Sequence, residues 1–114
     1  MIITPENAVK TERKNDLGNT ALIMTNLASF EGKNEKVKMF GFAELLPGEE
    51  LKYHTHEGES ETYYILSGSG IYNDNGIETE ILPGSITFTP SGSGHGLKNT
   101  GKENLNFIAL ILLD

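Results

Sequence analysis

A chain of 114 residues is the length of one ordinary domain, enough to bury a core without a staple. It has no cysteine, which removes disulfides and thiolate metal sites. Nine basic against sixteen acidic residues give a net charge of −7 with no Lys/Arg cluster to offset it, so nucleic acid is excluded as a partner.

The N-terminal MIITPENAVKTERKND has no apolar h-region, and the longest apolar run, FIALILL at 107–113, is far below the roughly 20 residues that cross a bilayer. The expectation is a soluble, cytoplasmic protein with no membrane partner. In chain order, MIIT reads as a short edge strand able to add to a partner subunit. An irregular polar stretch follows, with a helix signal over 5–14 from Thr4-Pro5-Glu6. Residues 1–35 are thus expected to be an edge strand and an irregular segment, and 36–114 the core.

From there, short strand-like runs alternate with turn signals. KVKMFGFAEL (36–45) is extended and apolar on both faces, with Phe40 and Phe42 alternating against Met39 and Gly41, which predicts that both faces are covered. LPGEE turns the chain into LKYHTH (51–56), the acidic loop EGES and the strand ETYYILSG (61–68). GIYNDNGIETEIL (70–82) reads as a hairpin about Asn75-Gly76 rather than a calcium loop. ITFTP (86–90), HGLKN (95–99) and LNFIALILL (105–113) complete an all-β pattern of the sandwich or small-barrel kind.

His54 and His56 lie on one face of an extended strand, and two imidazoles so held can meet one ion. Among the nearby acids, Glu57 points away and Glu59 falls in the turn; both read as solvated. Glu61 opens the next strand and is the best carboxylate ligand. Lys52 shares the parity of the two histidines, so a regular strand aims it into the same cavity, where it could hold a substrate carboxylate. The alternative is a frayed strand with Lys52 in water.

From Gly48 the chain runs five residues to His54, one to His56, four to Glu61 and six to Gly68. From Gly84 it runs five to Pro90, one to Gly92, two to His95 and three to Asn99. These ten positions resemble the two signature motifs of the cupin superfamily and absorb every histidine of the chain. The resemblance implies a cupin β-barrel (a double-stranded β-helix of jelly-roll type). It also implies one divalent metal (Mn, Fe, Ni, Co or Zn) held by His54, His56, Glu61 and His95, and a homodimer.

Asn99 reads as a turn-capping amide. Tyr63, Phe88 and Phe107 read first as core. For a ligand pocket the choice of wall is Met39, Phe88 and Phe107, with Lys52 and Tyr63 as candidates for chemistry. Oxalate-acting members of the family carry an arginine where this chain has Leu51, and the only arginine here is Arg13, which counts against oxalate decarboxylation. The expected function is a small metalloenzyme acting on an organic acid or sugar derivative bound to the metal through two oxygens. The alternative is a metal-dependent small-molecule binding protein without turnover. Since the ligands must be deprotonated, metal is expected to leave as pH falls through the histidine range.

Overall fold

The computed structural model describes all 114 residues. Its ten strands are β1 (Val9–Lys14), β2 (Thr20–Asn26), β3 (Val37–Leu45), β4 (Glu50–Thr55), β5 (Glu59–Ser67), β6 (Gly70–Asp74), β7 (Ile77–Ile81), β8 (Ile86–Thr89), β9 (Gly94–Asn99) and β10 (Leu105–Leu113). They form a six-stranded sheet, β1-β2-β3-β10-β5-β8, and a four-stranded sheet, β4-β9-β6-β7, antiparallel throughout. The all-β expectation holds.

The centre of the larger sheet follows from the sequence of β10. LNFIALILL is apolar at every position but the second, as suits a strand covered on both sides. Leu105, Phe107 and Ala109 are fully buried and Ile111 nearly so. Cross-strand register carries their alternation outward. One inner row is Met24, Ala43, Phe107 and Ile65; the next is Gly41, Ala109, Tyr63 and Thr87; a third is Met39, Ile111, Glu61 and Thr89. Burying a side chain such as Phe107, Leu45 or Leu105 stabilises the fold by about 1.5–3 kcal/mol each. At Gly41 the Met24 side chain packs where a Cβ would stand, its sulfur 2.7 Å from that position.

The outer face of the same sheet is also apolar. Phe42, Ile108, Tyr64 and Ile86 form one row, and Phe40, Leu110, Thr62 and Phe88 the next. Asn75, at φ 50°, and Gly76 make the tight turn between β6 and β7. Asn99 is fully buried and donates through Nδ2 to the carbonyls of Leu45 and Glu103, both at 2.8 Å. Its Oδ1 accepts the Gly101 N–H at 2.9 Å, so the amide fastens turns, as expected.

The N-terminal expectations are corrected. Residues 1–4 join no sheet, Ile2 is 89% exposed, and the helical signal yields only a single 3-10 turn at Pro5–Asn7. Val9–Lys14 and Thr20–Asn26 are strands instead of an irregular segment. The first of them, VKTERK, is exposed along its whole length and so shows no hydrophobic period; its pairing with β2 is what makes it a strand. β2 was readable, since TALIMTN is β-branched and apolar and buries Leu22.

Candidate metal centre

His54 lies on β4 directly opposite His95 on β9, while Leu51 lies opposite Leu97. Three steps along β4 therefore match two along β9, and the extra residue forms a bulge at Lys52–Tyr53. β9 makes room for it with glycines. A Cβ on Gly96 would meet the Leu51 carbonyl oxygen and the Tyr53 nitrogen at 3.1 Å, and one on Gly94 would collide with the Tyr53 ring. The bulge turns both Leu51 and His54 inward, so Lys52 does not hold the regular parity expected of it. The Lys52 side chain is exposed, yet it lines the mouth of the cavity described below. His56 follows β4 and is fixed through its backbone, its N–H donating to the Ser93 carbonyl at 3.1 Å and its carbonyl accepting the Gly92 N–H at 2.7 Å. Glu61 projects inward from β5, opposite Thr89 on one side and Ile111 on the other.

The four side chains converge. Nε2 of His95 lies 3.0 Å from Nε2 of His56 and 3.1 Å from Nε2 of His54. Oε1 of Glu61 lies 3.0 Å from Nε2 of both His56 and His95. The outer ring nitrogens decide what these short separations mean. His54 Nδ1 lies 2.7 Å from the Lys52 carbonyl and His56 Nδ1 lies 3.2 Å from Glu59 Oε2; both partners are acceptors, so both Nδ1 atoms carry the proton. His95 Nδ1 meets the Tyr72 hydroxyl at 2.9 Å, and that hydroxyl meets Thr89 Oγ1 at 2.9 Å. With Tyr72 donating to Thr89, its oxygen accepts from His95. Every Nε2 then presents a lone pair to the others and to a carboxylate. Acceptors about 3 Å apart repel unless a cation stands between them, and a nitrogen- and oxygen-donor set of this kind suits a divalent transition metal.

The surrounding groups hold this arrangement. Glu59, read from sequence as solvated, instead bridges His56 and Lys38, whose ammonium is 2.6 Å from Oε1. That hydrogen bond holds the Glu59 carboxyl below its ordinary range and keeps it an acceptor for His56. The signal was parity: β5 begins at Glu59 rather than Glu61, and the two share a face. Tyr72 and Thr89 were not found by motif spacing. Burial raises the Tyr72 phenol above its ordinary value, so it remains a protonated partner.

Tyr63 is 4% exposed and stacks on His95 with ring centroids 5.1 Å apart at 29°. Burial, and then the negative charge of Glu61, push its phenol well above the usual tyrosine range. A phenol so held can donate a proton or hydrogen bond, but is not a base near neutral pH.

A cavity of about 590 Å3 opens in front of the centre. His54, His56 and Glu61 face it, and Met24, Met39, Phe107, Ala109 and Ile111 give it an apolar wall. His95, at 1% exposure, closes the far side of the centre. Phe88 is corrected: Thr87 and Thr89 point inward from β8, so Phe88 lies on the outer face of the sheet, 57% exposed, and contributes nothing to the cavity. Arg13, which the motif spacing left without a role, reaches the cavity from β1.

The cupin domain model matches residues 41–111. The chain belongs to the cupin family. An oxalate-binding protein of Thermotoga maritima is 43% identical over 90 residues, which cover 79% of this chain and 74% of that protein. The crystal structure of a predicted oxalate decarboxylase from the same organism overlays with a TM-score of 0.89 at 36% identity, covering the whole of both chains. Dimethylsulfoniopropionate lyase DddW of Ruegeria pomeroyi is 38% identical over 69 residues, 60% of this cupin but only 44% of the lyase. The cupin thus spans less than half the length of that lyase.

Proposed function

We propose that this cupin is a metal-dependent binding protein for a small carboxylate, oxalate being the first to test. The observation that carries the reading is the convergence of three imidazole Nε2 atoms and the Glu61 carboxylate at 3.0–3.1 Å on the floor of an open cavity. His54, His56, Glu61 and His95 would hold a divalent ion, which would supply Lewis-acid attraction for the oxygens of a bound carboxylate. Which of Mn, Fe, Ni, Co or Zn fills the site is decided by availability as much as by the donors. The likeness to an oxalate-binding protein supports the ligand class, and the position of Leu51 still argues against decarboxylation.

Of the two expected functions, this reading prefers the binding protein to the metalloenzyme, with support from the side chains around the cavity. Tyr63 keeps its proton, Lys52 is exposed at the mouth, and every histidine is committed to the centre, so none of these side chains serves as a general base beside a ligand. The enzymatic reading survives through the Tyr63 hydroxyl as a proton donor beside Glu61. Assays with and without dioxygen on diacids, diketones and keto-sugars test it, and turnover of any of these displaces the binding reading. For binding itself, calorimetry with oxalate should give saturable binding to protein reconstituted with manganese(II) and none after chelation. Equal binding by the chelated protein would contradict the proposal.

The protein functions as a homodimer in this reading, in the cytoplasm. The support is the outer face of the larger sheet, where Ile86, Phe88 and Tyr64 are 70%, 57% and 46% exposed. Apolar rows of that extent need a cover, and a second copy presents a matching one. Light scattering at micromolar concentration should give twice the chain mass; a monomer contradicts it.

A further inference from the structure

We infer that Arg13 forms a second anion subsite at the cavity mouth, so that the preferred ligand is a dicarboxylate longer than oxalate, one end at the metal centre and the other at Arg13. This rests on the metal-dependent carboxylate reading and adds to it a residue and a ligand length.

Arg13 pairs with Leu22, which is 2% exposed and packs in the core, so the register directs Arg13 to the inner face of the larger sheet. It lines the same cavity as His54, His56 and Glu61. Its charge acts on the Tyr63 phenol, opposing the effect of Glu61, which places it within electrostatic reach of the centre. The guanidinium enters no ion pair, whereas its neighbour Lys14 is engaged with Glu12 at 3.5 Å and Thr20 at 3.1 Å. The hairpin carrying it is tied across the mouth, Asn15 Nδ2 donating to Glu49 Oε1 at 2.7 Å.

The acids nearby do not satisfy Arg13. Asp16, Glu49 and Glu50 also line the mouth, but none of them forms an ion pair with the guanidinium, and Glu49 accepts from Asn15 instead. Between mouth and centre the wall is apolar, with Leu22, Met24 and Ala109 facing a methylene chain rather than a second charged group. The volume of about 590 Å3 lies within the range of roughly 300–1,000 Å3 that holds a whole small molecule, well beyond what a two-carbon diacid fills. A guanidinium fork grips a carboxylate through two parallel hydrogen bonds, which gives Arg13 a stronger claim than Lys52 to the remote end.

The test is calorimetry on the manganese(II)-loaded chain with oxalate, with succinate, glutarate and adipate, and with the monoacids of matching length. The wild type should bind at least one of the longer diacids about tenfold or more tightly than its monoacid, the scale of a charge-assisted carboxylate contact. Arg13→Gln should erase that difference while leaving oxalate affinity within about threefold, and Arg13→Lys should restore part of it. Equal diacid-to-monoacid ratios in wild type and Arg13→Gln overturn the subsite, as does a wild type with no preference for any diacid. Oxalate binding that persists in either case leaves the metal-carboxylate reading intact; loss of oxalate binding in the loaded wild type removes both. Arg13 is exposed, so the variants should fold, which circular dichroism checks.

Discussion

Replacing His95 by glutamine or alanine is expected to lower metal affinity by well over a hundredfold, more than the roughly 10–100-fold that loss of an outer partner costs. His95 is the hub of the centre, within 3.1 Å of a donor atom on each of the other three residues, and is 1% exposed. Tyr72→Phe serves as the graded control. It removes the hydroxyl that meets His95 Nδ1 at 2.9 Å without touching a ligand, and should cost about 10–100-fold. Titration of both variants with manganese(II) or zinc, followed by calorimetry, gives the ranking. A His95 variant with wild-type affinity would falsify the assignment, and equal losses in the two variants would assign the effect to general disruption.

Phe107→Ala is expected to destabilise the protein by about 3–5 kcal/mol, the cost of truncating a buried aromatic and leaving a cavity. Phe107 is fully buried at the centre of the larger sheet and packs against Tyr63 with ring centroids 4.6 Å apart. Its loss should loosen the stack of Tyr63 on His95 as well, so stability and metal affinity fall together. Urea unfolding of the chelated protein isolates the first effect. A loss below about 1 kcal/mol there would show that Phe107 is not a keystone of the core.

Much of the barrel was legible because its strands are short, apolar in alternation and separated by turn residues with specific geometry, as in the Asn75-Gly76 hairpin. The last strand was read at 105–113 and is found there. β1 resisted for a physical reason. β1 buries none of its residues, so hydrophobic period carried no trace of it, and only its ladder with β2 defines it.

The four converging residues were legible from spacing, but what surrounds them was not. Its place at the opening of a strand singled out Glu61, which does converge with the histidines, whereas parity failed for Lys52, because the bulge opposite Gly94 and Gly96 adds a residue that no alternation rule anticipates. Glu59 differs from its expectation because β5 begins two residues earlier than the sequence suggests. Tyr72, Thr89 and Arg13 come from strands distant in sequence, and only the fold brings them to the centre or its cavity.

The metal content of untagged protein, measured first at pH 8 and again on stepwise acidification to pH 4, tests the central claim most directly. One divalent ion per chain, retained at the upper pH and released as the imidazoles take up protons, is the predicted result. Protein that carries no stoichiometric metal after reconstitution, or that keeps its ion unchanged down to pH 4, would contradict it.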